Sequence, residues 1–216
     1  MATMEVYVNT ATPQAYGEGT EQKVKGSCRA ELCVIDFLTE MALEGRGFQV
    51  RAGTITTPIT GDVVITDTKA EMAVEAPLGT SILPVYLNIG IRLGTGTLHE
   101  YALKSVAAAI TTNGGAFIPL PTKLGGGASR CTAGCSTAGG MVVAAELNTT
   151  TRCLWAASNP VAVGAGNSFT TFIYQPAAPH VITGIGTAYV QIAAATTGPD
   201  YYATLEYIEI PTVSVS

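Results

Sequence analysis

The sequence predicts a mainly β protein, built as an antiparallel β-sandwich or barrel. Three observations predict it. Apolar and polar residues alternate with period two through most of the chain from residue 48 onward, as in half-buried strands. Turn signals recur about every ten residues with short loops between them, the spacing of sandwiches and barrels. No internal repeat and no linker interrupts residues 1–216, which therefore read as one domain. A chain of 216 residues buries roughly 70% of its unfolded surface, enough for one sizeable core.

The elements follow in order. Met4, Val6 and Val8 alternate with Glu5, Tyr7 and Asn9 and suggest a short first strand, followed by a Thr/Pro/Gly loop to about residue 20. The stretch AELCVIDFLTEMAL (30–43) places Leu32, Ile35, Leu38 and Ala42 near helical spacing, with Gly45 as a stop. It also contains Cys33-Val34-Ile35, so segment 30–44 stays open between one helix and two strands. Met72, Val74 and Ala76 face away from Glu71, Ala73 and Glu75. Leu83, Val85, Leu87, Ile89 and Ile91 form the clearest apolar stripe, with Pro84 on the opposing face, which favours an edge or a strand start. LHEYALKSVAAAI (98–110) is ambiguous: its apolar positions fit a helical stripe, and a sandwich strand tolerates them too. The fold thus carries at most one or two short helices, at 30–44 and 98–110.

A Gly-rich tract runs from 111 to 140. Tracts of that length are usually functional or interface-forming, so it is a candidate interface arm, as is the N-terminal segment 1–25. After it come the strand-like MVVAAEL, RCLWAAS and SFTTFIY. The chain closes on TAYVQIAAATTGPDYYATLEYIEIP (187–211), which reads as two strands joined by a turn at Gly198-Pro199-Asp200. In the second strand Tyr201, Ala203, Leu205 and Tyr207 share one face. Beyond Tyr207 the pattern slips, since Ile208 and Ile210 fall on the polar side; a bulge or burial of both faces would explain it.

Composition narrows the function classes. Charged residues make up 12% of the chain and hydrophobic residues 47%, against about 25% charged in an ordinary soluble domain. A surface poor in long charged side chains suits burial against neighbours. The net charge is −5, and Lys23, Lys25 and Arg29 form the only local positive cluster. No basic arm is present for holding nucleic acid by counterion release, so no nucleic-acid partner is expected. No stretch approaches the ~20 apolar residues of a membrane helix, and the first residues lack the charged start and apolar core of a secretion signal. The expected setting is a cytosol, with no membrane partner.

No catalytic or metal-binding motif emerges. His99 and Glu100 are adjacent, so a strand points them to opposite faces, and His180 follows Pro179 in a loop. Neither sits in a nucleophile–base arrangement, and no G-x-S-x-G elbow exists. The carboxylates Asp62 and Asp67, Glu71 and Glu75, and Glu206 and Glu209 are the paired acids. A glycosidase needs two such groups about 5 to 10 Å apart, together with aromatic platforms, and this chain has one tryptophan, Trp155. Tyr201 and Tyr202 are the residues available for sugar stacking. Five cysteines occur, Cys28, Cys33, Cys131, Cys135 and Cys153, and Cys131 and Cys135 form a CxxxC that could clip a loop or supply two metal ligands, the rest having to come from Cys153, His99 or His180. Nothing in the spacing suggests a metal, and free or buried thiols are the expectation ahead of a disulfide. Gly125-Gly126-Gly127 has no Lys-Ser/Thr after it and is no phosphate loop. Asn148-Thr149-Thr150 is a chance glycosylation sequon. The expectation is no catalytic residue, no metal and no cofactor.

GRGFQVRAGTITTPITG (45–61), LGTSILPVYLNIGI (78–91) and YYATLEYIEIP (201–211) together resemble a pattern in virion structural proteins of tailed bacteriophages. There a Gly-Thr-x-Thr-Thr-Pro stretch comes early and a Pro-x-Gly-Thr-x-Ile-x-Pro strand follows, which departs here as Ala76-Pro77-Leu78-Gly79-Thr80-Ser81-Ile82-Leu83-Pro84. An acidic strand ending Glu-x-Ile-Pro closes the chain, matched by Glu206 to Pro211. The resemblance implies a jelly-roll-like sandwich without enzymatic activity, a capsid decoration, cement or minor capsid protein assembled in the host cytoplasm. It further implies a homo-oligomer, a trimer favoured over a pentamer, bound to the major capsid protein or other virion proteins. The alternatives are a fibre, spike or glycan-binding module and, third, a sandwich-fold hydrolase.

Overall fold

Strands with one apolar face must stack to bury it. The computed structural model describes residues 37–65, 69–93, 97–110, 116–135, 141–142, 150–159 and 170–214. In chain order they form α1 (Phe37–Leu43), β1 (Gly47–Ala52), β2 (Ile59–Thr60), β3 (Lys69–Ala70), β4 (Met72–Ala76), β5 (Thr80–Leu93), β6 (Thr97–Val106), β7 (Ala116–Phe117), β8 (Leu120–Pro121), β9 (Thr132–Cys135), β10 (Met141–Val142), β11 (Arg152–Asn159), β12 (Thr170–Tyr174), β13 (Ile182–Thr183), β14 (Gly186–Ala195), β15 (Asp200–Pro211) and a 3₁₀ turn (Thr212–Ser214). The expected first strand at 4–8, the segment 1–25 and the run MVVAAEL beyond Val142 lie outside the described residues.

Two antiparallel sheets result. The first has the order β12-β5-β15-β1-β8, with β2 beside β15 and β13 beside β5; the second has the order β11-β6-β14-β4-β9-β7, and β3 pairs with β10. The pairings nest. Among the eight strands β1, β4, β5, β6, β11, β12, β14 and β15, the first pairs the last, the second the seventh, the third the sixth and the fourth the fifth. The β5–β15 and β6–β14 ladders then knit each group of four into a sheet. A long hairpin of eight strands rolled into two sheets is the jelly-roll arrangement.

The core lies between the sheets. Val50, Leu87, Ile89, Ala203 and Leu205 from the first meet Met72, Val74, Leu103, Val190 and Ile192 from the second. Each large aliphatic side chain so buried contributes about 1.5–3 kcal/mol. β14 is buried on both faces. Its outward Tyr189 packs with Ala70, Ala73 and Val106 beneath Ala108 and Ile110. The polar residues of that face bond the covering segments: the Thr187 hydroxyl donates to the Ala108 carbonyl (2.7 Å) and the Gln191 amide to the Lys69 carbonyl (2.8 Å).

Several expectations change in the structure. Segment 98–110 is no helix: Thr97–Val106 is β6, held between β11 and β14, because two ladders and the inward Tyr101 and Leu103 outweigh an ambiguous stripe. Within 30–44 a helix forms over Phe37–Leu43. Gly45 ends it at φ 77°, with its N–H on the Ala42 carbonyl and the Arg46 N–H on the Met41 carbonyl, a Schellman stop. The closing strands β14 and β15 are consecutive but lie in opposite sheets, so 187–211 is a crossover and not a hairpin. Close approach shapes that turn: a side chain on Gly198 would strike the Gly61 carbonyl.

The slip beyond Tyr207 is burial of both faces: β15 keeps its alternation, and Ile208 and Ile210 are buried on its outer side. A bulge lies opposite, on β5. Glu206 pairs with Tyr86 and Tyr207 with Pro84, which leaves Val85 as an extra residue on β5. The stripe therefore splits: Leu87, Ile89 and Ile91 face the core, while Leu83 joins Ile208 and Ile210 outside, against Met41 and Val85. Pro84 is mid-strand rather than at an edge or start. It sits at the bulge, in the gap between β13 opposite 81–82 and β12 opposite 87–91, where no second ladder asks for its N–H.

Candidate functional site

Strand alternation decides where each chemically able side chain goes. His99 has the inward parity of Tyr101 and Leu103 and is fully buried, its ring centroid 6.3 Å from that of Tyr101. His180 is exposed. Asp67 lies outside the described residues. Glu75 accepts a bond from the Ile110 N–H at 2.8 Å, which ties segment 107–110 over β4. Glu206 stands on the outer face of the first sheet, beside Gln49 and Tyr86. Tyr201 points into the core, so it offers no surface for a sugar. Tyr202 is half-buried, and Trp155 packs partly against the core.

Two buried polar clusters gather residues that are far apart in sequence. At one end of the sandwich, the Glu71 carboxyl accepts a bond from the Ile192 N–H at 2.7 Å. Asp62 bonds the same strand through its backbone, N–H to Ile192 and carbonyl from Ala194. Burial chiefly, and Asp62 secondarily, push the Glu71 pKa up to about 8, although the Ile192 N–H acts the other way. Glu71 is thus mostly protonated at neutral pH. The Tyr201 phenol, raised by burial and then by Glu71, completes the cluster with Cys135.

In the second cluster Glu209 accepts from the Ser129 hydroxyl and from the Arg130 N–H (3.1 Å). Ser129 also lies 3.0 Å from the Tyr207 phenol and accepts from the Cys131 N–H at 3.0 Å. Burial, followed by the Glu209 charge, raises the Cys131 thiol well above the usual range, the reverse of what a nucleophilic cysteine needs. This is a latch that ties the 122–131 segment to the end of β15. Cys131, Cys135 and Cys153 are free thiols. No group of three or more metal-ligating side chains occurs among the described residues, and no described helix is long and apolar enough to cross a membrane.

The surface offers shallow clefts and apolar patches. A cleft of about 550 Å³ lies over the β6–β11 ladder, with Glu100, Lys104, Cys153 and Ser158 around Ala102 and Ala156. A second, of about 260 Å³, lies between α1 and the outer face of the first sheet, lined by Leu38, Ala42, Val85, Tyr86 and Ile208. Exposed apolar side chains gather on α1 and beside β8, and at the end of the sandwich as Leu78, Ile185 and Val213. There the Gly184 N–H bonds Thr80 and the Thr212 N–H bonds Gly79. Sequence reasoning missed these surface groups, since an exposed leucine and a core leucine read alike. Over 116–135 the Gly-rich tract runs against the sandwich: β7 and β9 edge the second sheet, and β8 edges the first.

Comparison with protein-family profiles, curated proteins and solved structures returns no match to this chain.

Proposed function

We propose that the chain is a non-enzymatic virion structural protein of a tailed bacteriophage, a capsid decoration, cement or minor capsid component. It associates with copies of itself, a trimer being favoured, and binds the major capsid protein or another virion protein. The observation that carries the reading is the surface: a sandwich with 12% charged residues exposes apolar groups such as Leu124, Ile118, Leu78 and Val213, all more than three-quarters exposed. Such a surface gains free energy when a neighbour covers it. The sequence resemblance adds support. Two of its segments lie side by side, since Thr80 to Pro84 pairs with Tyr207 to Pro211 along the central ladder. On a repeating shell, weak contacts multiply through avidity.

The test is cross-linking with mass spectrometry on intact particles that contain the chain, together with imaging of those particles. Cross-links to a second copy and to the shell protein, with density outside or between capsomers, are expected. A chain found only free in the lysate would overturn the reading.

A further inference from the structure

We infer that the face formed by α1 and the segment around β8 is where one copy of the chain packs on another, an inference that rests on the self-associating reading above. The helix has no fully buried residue. Phe37, Leu38 and Leu43 are 46%, 42% and 58% exposed, and Ile118, Leu120 and Leu124 are 79%, 52% and 101% exposed. The geometry places them on one side. Leu120 pairs with Gln49, so it shares the outer face of the first sheet, on which α1 also lies. Ile118 stands two residues before Leu120, exposed like it, with the buried Pro119 between them. The Lys123 ammonium donates to the Leu43 carbonyl at 2.8 Å, which brings Leu124 beside the end of the helix.

Size and charge identify the occupant. Together the six residues present several hundred Å² of largely apolar surface, the size of the largest patch on a typical monomer, roughly 300–600 Å² and often functional; a standard interface takes ~800 Å² from each partner, so a contact centred on this patch draws in its polar rim. The charges at the face balance: Glu40 and Glu44 stand with Arg46 and Lys123, Glu44 pairing with Arg46 at 2.7 Å and Lys123 bonding the Leu43 carbonyl. A face without net charge suits a second copy of a chain with net charge −5, because the contact forms where Coulomb repulsion between copies is least. β8 ends its sheet among the described residues, and Pro121 lends no N–H, so the contact is made by side chains rather than by extending the ladder.

Sedimentation velocity of the full chain over a wide concentration range tests this. The wild type is compared with Leu43→Glu/Leu124→Glu and with Leu78→Glu/Val213→Glu at the end of the sandwich. The wild type and the second variant are expected to associate alike, and the first to associate more weakly by roughly tenfold or more. If the wild type associates and the first variant matches it, this face is wrong while self-association stands. If the wild type stays monomeric throughout, both fail. Circular dichroism checks the fold; should the double variant lose its β signature, Ile118→Glu carries the same test.

Discussion

The ring of Tyr202 on β15 lies over Gly90, its cross-strand partner on β5, and fills the space that any side chain at residue 90 would need. Glycine weakens a strand interior, and an aromatic ring laid over it restores the packing that the missing side chain leaves out. Gly90→Ala is therefore expected to cost about 1–3 kcal/mol by overpacking. Adding Tyr202→Ala to that variant should recover part of the loss. Urea denaturation of the four proteins of the cycle measures it, and strictly additive costs would show that the ring simply moves aside.

Stability should fall as pH rises across the window set by Glu71. Its ordinary value is 4.5 and its native value is about 8. Between the two, the folded chain holds a proton that the unfolded chain has released, so folding is favoured below the window and loses that advantage as pH climbs through about 8. The slope approaches ~1.4 kcal/mol per pH unit. Glu71→Gln, whose amide oxygen still accepts from the Ile192 N–H, should flatten it. A wild-type unfolding free energy independent of pH between those limits would refute the assignment.

Ser129→Ala removes the hydroxyl shared by Glu209, Tyr207 and the Cys131 N–H. The buried partners left short should cost about 1–3 kcal/mol. Because the latch also shields Cys131, its alkylation, followed per cysteine by mass spectrometry, should accelerate while that of Cys135 does not. Equal acceleration at both thiols would indicate general loosening instead.

Oxidation should not join Cys131 to Cys135. Four residues along an extended chain span roughly 13 Å, beyond the ~7 Å between Cα atoms that a disulfide tolerates. Peptide mapping after mild oxidant is expected to find Cys153, exposed on β11, as the readiest of these three thiols. Recovery of a 131–135 linked peptide would contradict the extended course of β9.

Much of the fold was legible along the chain. Alternation marked Met72 to Ala76, Leu87 to Ile91 and Tyr201 to Leu205, and all three runs line the core. The slip beyond Tyr207 marked a strand end buried on both faces, whereas the bulge at Val85 on the partner strand left no mark in β15. The candidate surface was not legible. Leu38 and Leu43 on the helix and Leu124 in the Gly-rich tract are apolar residues that only the fold leaves exposed to solvent.

By itself the sequence determined the β class, a break at Gly45 and the inward parity of its strands, because side-chain direction and turn chemistry are local properties of neighbouring residues; between helix and strand for 30–44 it did not choose. Tertiary structure alone decided which strands pair, that β14 and β15 separate into opposite sheets, that 98–110 becomes a strand and that Glu71 is sealed beside Asp62. Backbone ladders accept almost any partner, so the choice among them falls to nested chain connectivity and to the shared volume of the core, which no stretch of sequence carries on its own.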